Sequence, residues 1–468
     1  MLFSSIPFLY YFLPIVLILY FSVPKCLKNL VLLLSSLFFY GWGEPKYVVI
    51  MMVSILIGFL SGHLIEVFRG KGLSKVFLFF SVFASICMLA YFKYMDFFIS
   101  NINHLTGLSL PLLRIALPIG ISFYLFQILS YTVDVYRGSV PAQKNIINFG
   151  AYVSCFPQLI AGPIVRYSDI AAQLVNRTHT VEKAANGIRR FLIGLSKKVL
   201  LANALGELCD IFRASEDKAV LFYWLYAVSF TLHIYFDFSG YSDMAIGLGR
   251  IFGFDFIENF NYPYLSKSIT EFWRRWHISL GSWFRDYVYI PLGGNRVSTP
   301  RWFLNILIVW MLTGFWHGAS WNFIVWGLLY AGFLVLEKLF LGKYLNNSKI
   351  WCHAYVMLIV CLGFVIFNAT NLTEAFQYFS AMAGFGSLPL VSTQFWYYLG
   401  SYGWILLLSI IGSTPLPKLI LTKVSHALNG RGQRLLNLLE PVFCIVLLFL
   451  VTAYLVDGSF NPFLYFRF

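Results

Sequence analysis

Apolar runs close to the length of a bilayer crossing succeed one another along the whole chain. They lie near 5–23, 29–42, 47–67, 76–98, 112–133, 190–208 and 220–247, and after an Arg- and Trp-rich gap near 302–317, 321–341, 351–369, 396–413 and 437–456. A membrane-spanning helix needs about 20 apolar residues, so these twelve runs predict about ten to twelve spans. No linker, low-complexity tract or internal repeat separates them, and the pattern predicts a single membrane domain over 1–468.

Two stretches do not fit a simple span. Residues 147–165 carry Gly150, Pro157, Gly162 and Pro163 at membrane-like hydrophobicity. This predicts a re-entrant segment sheltered by protein, where irregular backbone is tolerated, with a surface loop as the alternative. Residues 268–286 read as an amphipathic helix. At about 100° per residue, Ile269, Phe272, Trp273, Trp276, Leu280, Trp283 and Phe284 share one arc, and Glu271, Arg274, Arg275 and Ser282 lie opposite. Such a helix would lie in the interface plane, anchored by tryptophan, with His277 at the margin of its apolar arc and Glu271 paired with Arg275 at i, i+4.

Composition agrees. Of the 468 residues 59% are hydrophobic and 12% charged, against roughly 25% charged in a soluble domain, which excludes a soluble enzyme, disorder and coiled coil. The net charge is +14. With the N-terminus outside, 28 of the 34 Lys and Arg fall in cytoplasmic loops, which fits the positive-inside rule with both termini extracytoplasmic. Nucleic acid is the weaker reading of the excess. The sequence opens on Met1–Pro7 without a basic n-region or cleavage site, so the first apolar run should remain as a helix. The seven cysteines show no C-x-x-C pair or Cys/His cluster at metal spacing; they read as packing residues, and no metal is expected.

Most of the eight histidines sit at span ends, where a hydrogen-bonded structural role suffices. His317 stands between two apolar runs in TGFWHGASWN. If its span enters near Phe303, helix rise places it about 20 Å into a core about 30 Å thick. An imidazole there stays neutral and able to accept a proton. Gly314 and Gly318 flank it, leaving room for a substrate or for close helix packing. A structural histidine bonded across the bundle remains open on the residues alone. Asp237 and Asp243 lie in YFDFSGYSDMAIGLG, where Asp237 shares a helix face with Tyr241. They could orient an imidazole or bind a polar substrate; a buried polar network fixing helix packing is the preferred reading. No nucleophile elbow, Walker loop or zinc motif is present.

The stretches YFDFSGYSDMAIGLG (235–249), NYPYLSKSITEFWRRWHISL (261–280), RDYVYIPLGGNR (285–296) and GFWHGASWNFIVWG (314–327) closely resemble the membrane-bound O-acyltransferase family, in its bacterial branch of alginate and peptidoglycan O-acetyltransferases. LPIGISFYLFQILSYTVDVYRG, FPQLIAGPIVRY and the C-terminal NPFLYFRF support it. The resemblance implies an all-α polytopic membrane protein, a ring of spanning, re-entrant and interfacial helices around a central tunnel. It implies catalytic roles for His317, in the W-H-G motif, and His277, in the R-R-W-H motif, where other members often carry asparagine or aspartate. Trp316, Asp237, Tyr241, Arg275 and Asn295 are the expected substrate-binding residues. The implied activity moves an acetyl group from cytosolic acetyl-CoA across the cell (inner) membrane onto an exported or envelope polysaccharide, with no bound cofactor. The branch works with a separate extracytoplasmic partner, of the SGNH type, and the longest outside loop, 370–395, is too short to be that domain. Within the family the alternative is D-alanyl transfer to teichoic acid from a carrier protein. Outside it, a transporter without chemistry would use the same intramembrane Asp237, Asp243 and His317.

The charge bias sets a test of orientation. Single cysteines introduced at 69–75 and 414–434 of a cysteine-free chain should resist an impermeant thiol reagent in intact cells, and one introduced at 375–390 should react. The reverse pattern would overturn the assignment.

Overall fold

A computed structural model describes residues 1–160, 162–427 and 429–458; the NPFLYFRF stretch falls outside them. Among the described residues the protein is all-helical, apart from one isolated antiparallel bridge between Phe260 and Trp276. Every apolar run contains helix, though not over its whole length in each case. Among the described residues, seven helical stretches are long and apolar enough to cross a membrane: Lys25–Gly43, Pro45–Val67, Gly72–Thr106, Trp321–Leu345, Trp351–Asn368, Thr393–Gly412 and Leu438–Asp457. The run read at 112–133 becomes helical only at Ile121, because Pro111 and Pro118 interrupt it. The preceding non-helical stretch is held by Asp96, whose carboxylate accepts from the N–H groups of Leu113 (2.7 Å) and Arg114 (2.9 Å).

The chain forms two compact units. The first comprises Met1–Ile188, Met244–Ile257 and Ser282–Pro291. Its centre is the Val48–Val67 helix, packed against Gly72–Leu89 and Ile121–Arg137. Close approach depends on Gly62, where a Cβ would come within 2.5 Å of the Tyr131 ring. The stretch read as re-entrant is broken and buried: helix Ile146–Ser154 ends at Cys155, and Phe156–Leu159 forms one further turn. Trp283 is not a lipid anchor. It stacks on Phe126 at 3.9 Å and donates its indole N–H to the Phe126 carbonyl. Nearby Asp286 accepts from Arg166 at 2.7 Å. Burial alone would raise its pKa, but the hydrogen bonds from Arg285 and Arg166 hold the carboxyl below its ordinary value.

The second unit comprises Arg189–Asp243, Glu258–Gly281 and Leu292–Phe468. Here the helices Thr299–His317 and Trp321–Leu336 form a tight hairpin. A Cβ on Gly314 would lie 2.2 Å from the Phe323 carbonyl oxygen, and one on Gly327 2.2 Å from that of Trp310. Of the two uses open to Gly314, the structure shows close helix packing. Helix Leu372–Met382 occupies part of the 370–395 connection. Its Phe379 packs into the core, while Phe376 and Phe385 are 68% and 71% exposed.

The single amphipathic helix expected over 268–286 is instead two short ones, Ile269–Arg275 and Ile278–Phe284, separated at Trp276 and His277. Trp276 is extended and His277 has φ +46°. The break is stable because another segment takes the backbone groups: Asn261 N–H donates to the Arg275 carbonyl (2.9 Å) and Ile278 N–H to that of Asn259 (3.0 Å). The first helix is capped by buried Glu337, which accepts from the N–H groups of Ile269 (2.5 Å) and Thr270 (2.9 Å). Its apolar face meets protein: Trp273 packs edge-on against Trp310, Trp326 and Tyr330. An amphipathic pattern does not distinguish a protein interior from a bilayer.

Gly327→Ala should therefore lower stability by about 1–3 kcal/mol, as overpacking does, read as a reduced melting temperature of the detergent-solubilised protein. Gly332→Ala, in the same helix with nothing within 4 Å of the added methyl, should leave it unchanged or slightly raised.

Candidate functional site

His317 is the last residue of the Thr299–His317 helix, where the chain reverses toward Trp321. The glycine-mediated hairpin fixes that end, and the imidazole is 7% exposed. Three aromatic rings meet it edge to face: Trp316 at 4.9 Å, Trp326 at 5.1 Å and Phe367 at 5.2 Å. His277 is 2% exposed. Its ring lies 4.6 Å from Phe238 and 6.0 Å from Trp316, so both imidazoles pack on the indole of Trp316. Three of the residues expected from the sequence, forty positions apart at the extremes, thus form one buried cluster.

A left-handed backbone at a non-glycine residue is uncommon and costs energy, which places His277 among residues held by their surroundings. Its Nδ1 lies 3.2 Å from Asn259 Oδ1. Burial pushes the pKa of His277 down to about 3, which keeps the ring neutral over the physiological range. Its Nε2 is buried with no hydrogen-bond partner among the described residues. A neutral, fixed imidazole with one free nitrogen can exchange a hydrogen bond or a proton with a bound molecule.

The other expected residues are held differently. Asp237 pairs with Lys198 at 2.5 Å, both side chains being 1% exposed. Asp243 accepts from Arg190 (2.8 Å) and Lys197 (2.7 Å), and Arg190 also pairs with Glu258. This is the buried polar network preferred for the two aspartates on the sequence. Tyr241 is buried on the same helix. Arg275 is paired as expected with Glu271 (2.7 Å) and donates to the Asn261 carbonyl. Although burial opposes it, the Glu271 carboxyl is held below its ordinary pKa by the Lys267 N–H and Arg275. Asn295 is exposed in a turn braced by Asn305, whose amide donates to the carbonyls of Leu292 and Gly294. The structure does not gather it with the buried imidazoles.

Sequence reasoning missed Asn259 and Ser279, which surround Nδ1 of His277, and Trp326 and Phe367, which enclose His317. Other histidines have hydrogen-bonded positions: His179 with Tyr20, His233 with the Ala202 carbonyl, and His353 with that of Ser266. Among the described residues no cluster of three or more His, Cys, Asp or Glu is placed to hold a metal.

Two buried imidazoles on one indole, inside a multi-pass helical membrane protein, have the parts of an embedded acid–base site. The wider comparison identifies the class. Residues 135–374 match the membrane-bound O-acyltransferase family. The chain is 43% identical over 396 residues to the probable alginate O-acetylase AlgI of Azotobacter vinelandii, covering 83% of this chain and 79% of that protein. It is 44% identical over 401 residues to AlgI of Pseudomonas aeruginosa, covering 83% and 76%. It is 33% identical over 427 residues to the peptidoglycan O-acetyltransferase of Helicobacter pylori, covering 83% and 81%. The chain belongs to the membrane-bound O-acyltransferase family and is an O-acyltransferase.

Proposed function

We propose that this protein transfers an acetyl group from cytosolic acetyl-CoA, across the cell membrane, for O-acetylation of an exported or cell-envelope polysaccharide. The observation that carries the reading is the buried cluster of His277, Trp316 and His317, in a chain similar to relatives named for alginate and peptidoglycan O-acetylation. In this reading His317 is the general base. It takes the proton of an acceptor hydroxyl as that oxygen bonds to the acetyl carbonyl carbon. The carbon–sulfur bond of the thioester then breaks, and the departing thiolate receives the proton from the imidazolium. The products are an acetyl ester and free CoA thiol. A positioned base contributes about 10²- to 10⁴-fold.

The test supplies labelled acetyl-CoA to the protein in membranes, with candidate acceptors, and follows the label. His317→Ala should insert normally and lower transfer by at least about 10²-fold. Near-normal transfer by that variant would sink the mechanism, and label that stays on CoA with every acceptor would favour a transporter.

A bulky polymer would have to reach a histidine enclosed by three aromatic rings, so a small acyl relay to an extracytoplasmic partner of the SGNH type is sterically easier. The exposed Phe376 and Phe385 are suited to dock it. Charged substitutions at these two positions should abolish polymer acetylation in cells while leaving acetyl-CoA hydrolysis by the purified protein unchanged. Polymer acetylation by the purified chain alone would show the relay to be wrong.

A further inference from the structure

The segment carrying Asn259 runs antiparallel to the break at Trp276 and His277. The Ile278 N–H donates to the Asn259 carbonyl, and the Asn261 N–H to that of Arg275. Glu258, next to Asn259, is paired with Arg190, which also binds Asp243. Asn259 is thus fixed from both sides, and its side chain is directed at the ring of His277.

The orientation of that amide follows from an unambiguous donor. The backbone N–H of Ser279 lies 3.2 Å from one terminal atom of Asn259. A backbone N–H can only donate, so that atom is the carbonyl oxygen Oδ1. The Ser279 hydroxyl donates to the same oxygen at 2.9 Å. His277 Nδ1 lies 3.2 Å from it. An amide oxygen can only accept, so Nδ1 must carry the ring proton. In a neutral imidazole the other nitrogen then holds the lone pair. That nitrogen, Nε2, is the buried atom with no partner among the described residues.

We infer that Asn259 is a positioning residue that locks His277 as the Nδ1-protonated tautomer, so that Nε2 accepts a hydrogen bond from the hydroxyl of the acetyl acceptor. The assignment rests on the acyl-transfer reading above. It divides the work between the two imidazoles: His277 holds the hydroxyl and His317 removes its proton. Ser279 supports Asn259 by pinning the amide oxygen toward the ring.

Protein labelled with ¹⁵N in histidine and reconstituted in lipid bilayers tests the tautomer directly by solid-state NMR, with the His277→Asn variant identifying the resonances. The expected result is a protonated Nδ1 and a pyridine-type Nε2 for His277; a protonated Nε2 overturns the inference. The spectrum that decides is that of the unaltered chain, and the variant serves only to assign it. Asn259→Leu should lower kcat for transfer by about 10- to 100-fold, as loss of a histidine-orienting partner does, with KM for acetyl-CoA unchanged. Asn259→Asp, which keeps an acceptor oxygen toward Nδ1, should restore most of the loss. Equal loss in both variants, or none in Asn259→Leu, overturns the inference. If the unaltered chain transfers no acetyl group, the acyl-transfer reading fails, while the tautomer spectrum still decides the role of Asn259.

Discussion

A backbone taken out of water must find its hydrogen bonds within the chain, and that requirement shapes the neighbourhood of His277. An uninterrupted helix would satisfy it without help from elsewhere. Breaking the helix at Trp276 and His277 leaves donors and acceptors that the 258–261 segment has to take up. The pairing draws in Asn259, and the short helix in front of the break recruits Glu337 as its cap. A polar environment for one imidazole is therefore assembled largely by the repair of one interruption. The left-handed residue at its centre turns the ring away from where helical geometry would put it.

The same unit holds more buried charge than stability alone explains. Removing a pair such as Lys198 and Asp237 from water costs several kcal/mol per ion, and the attraction between them often does no better than break even. What such pairs do supply is register. Lys197, Lys198 and Arg190 lie on one stretch of chain, and Asp237 and Asp243 are six residues apart on the Val220–Ile251 helix. A slide of either element would leave at least one charge unpaired in an apolar interior. Between the pairs, Gly240 lets the backbones approach, since a Cβ there would sit 2.8 Å from the Gly194 carbonyl. Attraction at the ends and the absence of a side chain in the middle fix the same alignment.

How far the sequence could be read depended on whether each feature was local. Spanning helices were legible because hydrophobic length is a property of a contiguous run. The exception at 112–120 carried its own warning in Pro111 and Pro118. The buried break at Cys155 was legible from proline and glycine in an apolar context. The candidate histidines were legible from motif and setting. Their surroundings were not: Asn259 lies 18 residues before His277, and Phe367 lies 50 after His317. Over 268–286 the apolar periodicity of a helix is present without its continuity. Nothing within that stretch reveals that residues 258–261 compete for its backbone, since the competition exists only in three dimensions.

The aromatic enclosure of His317 bears on how a proton could rest there. A base in an apolar interior must hold a cation briefly, which low dielectric opposes. A permanent carboxylate would ease that cost but would also retain the proton, weakening the imidazole's ability to give it up. Aromatic faces offer an intermediate solution. A cation over the face of a ring, within about 6 Å of its centroid, gains roughly 0.5–2 kcal/mol from the ring quadrupole, and the neutral ring beside the same face gives up none of its packing. Trp316, Trp326 and Phe367 lie 4.9–5.2 Å from His317, each nearly perpendicular to it. They enclose the ring and hold it in place. Trp316 does this for one imidazole while its indole also bounds the other, so a change in its size would alter the separation of the two histidines and the packing of both together.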